Sequence, residues 1–359
     1  MAAWAKFSDG VEVDEKIFKL LAKYAPEGTL DVFASDQHNS YLKLGSSYLE
    51  HIGESRKATD DDVIEICRRF ARGLEQIPTA ALFNKLAFES PGFRELLGEK
   101  VLLIGRLEDT NAISVDDGKG HLAQLAVNPE DCADKVDGFK TLVKLDPDHK
   151  ESYEKNLEWM KDIFERCQKL GKPLFNETLM FQKPGQSKSD MAKRLPEGLV
   201  QIAKDFGPYG HFYKTQVPVL WTADDNGQVT RISNPDTIRK TAEGMAEVVD
   251  RPILLLSAAV DFEQYSAQFG IVSDIITGPM CGRAYFKEAF ADQQTKDWDS
   301  LEASFKRIAL PRILQIKNLS RIVSKPWWHK FTEMTDEAKS LIELDAKPAS
   351  SGVKADYGY

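Results

Sequence analysis

Short apolar segments alternate with amphipathic segments along most of the chain. The apolar segments are rich in β-branched and aromatic residues, which is typical of buried strands. They predict eight strands, over 30–34, 78–83, 101–107, 138–145, 173–180, 211–219, 252–257 and 275–281. The amphipathic segments predict helices over 14–25, 60–76, 129–135, 151–170, 187–206, 235–249 and 261–269, and a further helix that begins at Gly282 and Arg283. Residues 35–40 are predicted as a polar loop, and Pro196 predicts a kink or a break in its helix.

Regular alternation of strands and helices indicates a parallel sheet that is covered by helices. Eight such units in about 260 residues fit a closed (β/α)8 barrel, the TIM barrel. The competing fold is an open doubly wound sheet. No GxGxxG or GxxxxGK[ST] segment follows any predicted strand, so nothing in the sequence favours that alternative.

The pattern also predicts the domain organisation. Residues 1–325 form one barrel domain that includes an extra N-terminal helix, and residues 326–359 form a C-terminal extension. The extension contains Trp327 and Trp328 and ends in a polar, low-complexity stretch over 347–354. Such a composition is typical of partial disorder.

Composition narrows the classes of function. A net charge of −9 argues against general binding to nucleic acids or anionic membranes, but an anionic small substrate fits if basic residues gather locally. The four cysteines are far apart and indicate neither a zinc site nor disulfides. The first residues show no apolar stretch typical of a secretory signal, so we expect none, and the longest apolar run, 253–260, is too short to span a bilayer. We therefore expect a cytoplasmic protein.

Several polar side chains lie at or near the carboxyl ends of the predicted strands, where barrels carry their chemistry. They are Asp36, Gln37, Glu108, Lys140, Lys144, Glu177, Lys214, Ser257, Gly282 and Arg283. Lys140 and Lys144 share one face of their strand because strand side chains alternate. A solvated strand end is the simpler interpretation of Lys144, and Asp36 could equally serve as a helix cap.

Lys214 lies in an apolar strand without a neighbouring charge. A lysine that loses its proton near neutral pH is a nucleophile towards carbonyls and forms Schiff bases. Glu177 lies among apolar residues as well, where an unpaired carboxylate is costly. Lys140, Glu177 and Lys214 on successive strands would relieve that cost, and this arrangement suits imine chemistry.

The last two strands carry the residues expected to hold an anion. Ser257, with the backbone of Gly278, Gly282 and Arg283, falls where barrels often bind phosphate. Arginine can hold a phosphate with two parallel hydrogen bonds. The histidines, by contrast, show no metal-ligand spacing, so we expect neither a metal nor another cofactor.

Taken together, these segments resemble the class I tagatose 1,6-bisphosphate aldolases, a group that includes the related sulfofructose-phosphate aldolases. The resemblance covers about residues 28–320. It rests on Asp36 and Gln37 and on Phe-Lys-Thr-Leu-Val-Lys-Leu-Asp (139–146), Asn-Glu-Thr-Leu (176–179), Tyr-Lys-Thr-Gln-Val-Pro (213–218), Leu-Leu-Ser-Ala (255–258) and Cys-Gly-Arg-Ala (281–284).

The resemblance implies a metal-independent cleavage of a ketose phosphate to dihydroxyacetone phosphate and an aldehyde. Lys214 would form the Schiff base, Glu177 would be the general acid and base, and Lys140 would tune that pair. Asp36 and Gln37 would bind hydroxyls or assist imine formation. The phosphate would be held by Ser257, Gly282 and Arg283.

Some properties stay open at this stage. The far end of the substrate carries a second phosphate, a sulfonate or no charge, and neither stereochemistry nor oligomeric state follows from the sequence, so a homo-oligomer remains an option. Alternative functions are a metal-dependent aldolase or an isomerase on sugar phosphates, and a non-enzymatic regulatory barrel. The presence of Lys140, Glu177 and Lys214 together disfavours the last.

Overall fold

A computed structural model describes residues 3–223, 229–294 and 296–342. Its centre is a closed barrel of eight strands, in which each strand pairs in parallel with its neighbours in the chain and the last pairs with the first. We number these strands β1 (Val32–Ser35), β2 (Ala80–Phe83), β3 (Leu102–Arg106), β4 (Gly138–Leu145), β5 (Leu174–Met180), β6 (Phe212–Thr215), β7 (Ile253–Leu255) and β8 (Gly278–Cys281). The (β/α)8 prediction is confirmed.

Helices surround the barrel. They are α1 (Glu15–Tyr24), α2 (His38–His51), α3 (Asp60–Gly73), α4 (Lys85–Phe88), α5 (Phe93–Leu97), α6 (Pro129–Cys132), α7 (Lys150–Lys169), α8 (Lys188–Phe206), α9 (Pro235–Val248), α10 (Phe262–Val272), α11 (Arg283–Phe286), α12 (Trp298–Val323) and α13 (Asp336–Lys339). Short 3₁₀ segments span Asp116–Gly118 and Lys287–Ala291. None of the helices in the described ranges is long and apolar enough to cross a membrane.

The structure contradicts one local prediction and excludes the break that was one alternative at Pro196. The predicted polar loop over 35–40 is in part the first turn of α2, which begins at His38. The buried side of α2 carries only Tyr41, Gly45, Tyr48 and Leu49, so its apolar stripe is thin and broken by a glycine. The helix over 187–206 is not broken at Pro196, because α8 runs through it without interruption.

The barrel interior and the layer between strands and helices are separate apolar cores. Alternate residues along the strands face the interior, where they form one buried cluster that includes Val32, Leu82, Ile104, Phe175 and Phe212. The intervening residues pack against the helices in a second and larger cluster. Because side chains alternate along a strand, this phase also decides which polar residues reach the barrel mouth.

A small sheet from the two ends of the described chain closes the bottom of the barrel. Strands Ala3–Phe7, Glu12–Asp14 and Phe331–Met334 pair antiparallel. Their buried residues join α1 and the fully buried Trp327 in the same cluster as the barrel interior. Residues 343–359, which are half of the predicted extension (326–359) and include its polar stretch, lie outside the described residues.

Two hairpins rise from the opposite end of the barrel. Ile113–Val115 pairs with Gly120–Leu122 after β3, and Trp221–Ala223 pairs with Val229–Arg231 after β6. Both hairpins follow carboxyl ends of barrel strands, so they lie on the side at which barrel enzymes hold their substrates.

Candidate active site

The polar residues at the barrel mouth occupy the strand positions whose side chains face the barrel interior. On β5 and β6, Phe175 and Phe212 belong to the interior core, and the side chains two positions further along are Glu177 and Lys214. Glu177 and Lys214 are register partners on adjacent strands. The carboxyl ends of parallel strands meet at one edge, so this phase gathers charged groups above an apolar floor.

These groups line a cavity of about 470 Å³ at the mouth. All of the site residues predicted from the sequence lie in its wall: Asp36, Gln37, Lys140, Glu177, Lys214, Ser257, Gly282 and Arg283. Five basic and three acidic side chains line the cavity, in a protein whose net charge is −9. The local excess of positive charge makes the cavity suited to an anionic ligand.

Lys140 is the centre of the buried charge network. Its ammonium donates to Asp36 Oδ2 at 2.9 Å and to Glu108 Oε1 at 2.7 Å, and it lies 2.8 Å from Glu177 Oε2. The side chain is 2% exposed. An ammonium has three hydrogens to donate, and three carboxylates here take up that capacity.

Lys214 has a different environment. Its ammonium donates to Glu177 Oε2 at 2.8 Å, and no other ion pair of Lys214 is found among the described residues. The side chain is 3% exposed yet lines the cavity. A single carboxylate oxygen of Glu177 therefore lies between the ammonium groups of Lys140 and Lys214.

Burial and the nearby cations shift the pKa values of the carboxyl groups in opposite directions. Burial raises the pKa of Asp36, but Lys140 and Lys214 outweigh it and hold the pKa at about 2. The same balance lowers the pKa of Glu177. For Glu108, burial dominates over the attraction of Lys140, and the pKa rises to about 7. Burial alone would lower the pKa of Lys140, but the three carboxylates raise it above its usual range.

Ser257, Gly282 and Arg283 form the wall next to β7 and β8. A Cβ atom on Gly282 would lie 2.2 Å from the carbonyl oxygen of Ala34, so a side chain at this position cannot be accommodated without displacing the backbone. Arg283 is half-buried and donates to the hydroxyl of Ser40 at 3.4 Å. No carboxylate among the described residues forms an ion pair with its guanidinium.

One residue of this network does not follow from the sequence, and another follows from it without a role. Arg106 is buried at the end of β3 and donates to the backbone carbonyl of Asp36. Glu108 was placed at a strand end, but its bond to Lys140 did not follow from the sequence. The period of two that puts Leu102 and Ile104 inside the barrel also points to 106 and 108, so the signal was present.

Comparisons with known proteins establish the fold of this chain but not its family. No family model matches the chain, and no curated protein sequence matches it. Among solved structures, a fructose-bisphosphate aldolase from Plasmodium falciparum, in complex with TRAP and a small-molecule inhibitor, superposes with a TM-score of 0.65. The match covers 90% of this chain and 99% of that chain at 13% sequence identity. At this identity the similarity establishes a shared fold.

Proposed function

We propose that the protein is a Schiff-base aldolase that cleaves a ketose phosphate to dihydroxyacetone phosphate and an aldehyde, with the imine on Lys214. The observation that carries this proposal is the contrast between the two buried lysines of the cavity. Lys140 is held by three carboxylates, whereas Lys214 contacts one, and it shares that one with Lys140. The aldolase name of the structural neighbour agrees with the proposal.

On the basis of this contrast, we propose different roles for the two lysines. Only an unprotonated amine attacks a carbonyl, and the three carboxylates, which raise the pKa of Lys140, keep it an ammonium. Lys214 can pass a proton to Glu177, whose Oε2 lies 2.8 Å away. Lys140 then serves as a fixed positive charge that stabilises the anionic forms of Glu177 and Asp36.

The proposed reaction proceeds through an imine. The amine of Lys214 adds to the C2 carbonyl, and loss of water with a proton supplied by Glu177 gives the iminium ion. Removal of the C4 hydroxyl proton forms the aldehyde carbonyl, and the electrons of the C3–C4 bond move towards C2 and the iminium nitrogen. Protonation of C3 and hydrolysis of the imine then release dihydroxyacetone phosphate.

Other cavity residues are proposed to bind the substrate. Ser257, Gly282 and Arg283 would hold the phosphate next to C1, because Arg283 is the half-buried cation of that wall. Asp36 and Gln37 bond to each other at 2.8 Å and would accept from or donate to substrate hydroxyls. Within this proposal we favour a substrate like tagatose or fructose 1,6-bisphosphate, and a sulfofructose-phosphate aldolase is the alternative.

The proposal is tested with a panel of ketose 1-phosphates and 1,6-bisphosphates, assayed for release of dihydroxyacetone phosphate in the presence of EDTA. We expect release from at least one member, loss of release in Lys214→Met, and unchanged release in Lys150→Met, an exposed lysine on α7. Activity that EDTA abolishes would indicate a metal-dependent aldolase. Interconversion of sugar phosphates without release would indicate an isomerase.

A further inference from the structure

Gln216 is a buried amide close to the proposed nucleophile, and the proposed function does not use it. It comes two positions after Lys214, just past the end of β6, and strand side chains alternate, so both side chains point into the barrel. Tyr213 and Val217, which lie between and beyond them, pack in the cluster under the helices and confirm this phase. Gln216 is 6% exposed and lines the cavity. The cavity wall therefore contains a polar side chain without an assigned role.

The protein uses only one half of this amide. Its Nε2 atom donates to the backbone carbonyl of Met180, at the end of β5, at 3.2 Å. A carbonyl oxygen can only accept, so this bond fixes the amide with its nitrogen towards Met180 and its oxygen on the other side. None of the described residues donates to Oε1 of Gln216, and the protein does not enclose that atom. Gln216 thus offers a free acceptor to the cavity.

The wall on either side of Gln216 is apolar. The register between the strands gives its neighbours at the same height, which are Leu179 on β5 and Leu256 just after β7. Both leucines line the cavity. Of these three side chains only Gln216 can form a hydrogen bond. An acceptor in such surroundings discriminates between ligands, because a ligand that covers it without donating a hydrogen leaves it unpaired.

The direction of the amide indicates which part of the substrate it would meet. The residues proposed to hold the phosphate lie at the ends of β7 and β8, on one side of Lys214. The amide of Gln216 extends to the other side, towards Met180 on β5. When C2 is joined to Lys214, C1 with its phosphate points towards β7 and C3 points towards β5. The hydroxyl on C3 is then the substrate group next to Gln216.

We propose that Gln216 is a specificity-determining residue that accepts a hydrogen bond from the C3 hydroxyl of the ketose. This inference deepens the proposed function and rests on it. After cleavage the same group is the free hydroxyl of dihydroxyacetone phosphate, so Gln216 would bind it before and after the C3–C4 bond breaks. A ketone with hydrogen in place of this hydroxyl would remove water from the amide oxygen and supply no donor.

The test compares two ketones that differ only in this hydroxyl, dihydroxyacetone phosphate and hydroxyacetone phosphate. Each is mixed with the protein and borohydride below saturation, and the rate of adduct formation is measured by mass spectrometry. We expect wild type to form the adduct roughly tenfold faster with dihydroxyacetone phosphate. Gln216→Met has a similar length but no amide oxygen, and it should lower this ratio to about two or less. The intrinsic reactivities of the two ketones cancel when the ratios of variant and wild type are compared.

Two further variants separate recognition of the hydroxyl from a structural role. Gln216→Glu keeps an acceptor oxygen and should retain a preference for dihydroxyacetone phosphate. Gln201→Met changes an exposed glutamine on α8 and should leave the ratio as it is in wild type.

The outcomes are distinguishable. If Gln216→Met slows adduct formation equally with both ketones, the amide serves only to hold the backbone at Met180, and the inference is wrong. It is also wrong if wild type does not distinguish the two ketones, while the proposed function stands in both cases. If neither ketone gives an adduct in wild type, it is the proposed function that fails.

Discussion

Replacing Lys140 with methionine tests the charge network most severely. Methionine has a similar length but no charge, so Lys140→Met removes three contacts of 2.7 to 2.9 Å at once. Removing one partner of a buried ion pair costs about 3–5 kcal/mol, because the remaining charge is left uncompensated. Asp36 keeps its contact with Gln37, and Glu177 keeps Lys214. We therefore expect a loss within that range rather than one for each contact.

The loss should depend on pH in a defined direction. In wild type the pKa values of Asp36 and Glu177 are lowered, so their stabilisation is present above their unfolded pKa values and is lost only as the pH falls through the folded values. Lys140 lowers the pKa values of Asp36, Glu177 and Glu108, so all three would rise without it, and the cost would grow as the pH rises through the raised values. The destabilisation should therefore be larger at pH 8 than at pH 5.

Denaturant unfolding at both pH values, for wild type, Lys140→Met and Lys214→Met, measures the effect. Lys214 contacts one carboxylate, which Lys140 still satisfies in the variant, so Lys214→Met should cost less, about 1.5–3 kcal/mol. Equal losses in the two variants would contradict the account of Lys140 as the centre of the network. So would a Lys140→Met loss that is the same at pH 5 and pH 8.

Three further predictions concern single residues. Glu108→Gln should raise the free energy of unfolding at pH 8 by up to ~3 kcal/mol and change it little at pH 4.5. The reason is that the pKa of Glu108 is raised from 4.5 to about 7, so ionisation of its carboxyl group costs stability across that range of pH. Denaturant titrations that show no gain at pH 8 would refute this prediction. Arg283→Ala should weaken binding of phosphorylated ketoses by on the order of 2–4 kcal/mol, mainly through KM, and an unchanged KM and kcat would place the phosphate elsewhere. Gly282→Ala should displace the backbone that precedes Arg283 and reduce cleavage, because the added Cβ would lie 2.2 Å from the carbonyl oxygen of Ala34. The control is Gly270→Ala, whose Cβ would have no atom within 4 Å and which should have little effect on activity.

The barrel was predictable because its strands are local patterns. The segment 138–145 matches β4, and the others differ from their strands mainly at the ends, where apolar residues continue past the hydrogen-bonded pairs. The sheet at the bottom of the barrel was not predictable in this way. Ala3–Phe7 pairs with Phe331–Met334 from the other end of the chain, and no local pattern contains that pairing.

The residues of the site were predictable from the sequence, but the hydrogen bonds between them were less so. Strand ends and the period of two identified Lys140, Glu177 and Lys214, which do converge on one cavity. The sequence predicts Lys140 beside Glu177 and Lys214, and the structure adds hydrogen bonds from Lys140 to Asp36 and Glu108. Both partners lie just after the ends of other strands, β1 and β3, and side-chain direction across the mouth is set by packing in three dimensions.

The most direct test of the central claim is to trap the imine on Lys214. Borohydride added together with dihydroxyacetone phosphate should reduce the imine and leave one covalent adduct, which peptide mapping should place on Lys214. Neither Lys214→Ala, which lacks the amine, nor Lys214→Arg, which keeps its positive charge, should form an adduct. An adduct on Lys140 or Lys144 would show that the nucleophile is wrongly assigned, and the absence of any adduct, with cleavage abolished by EDTA, would contradict the Schiff-base mechanism.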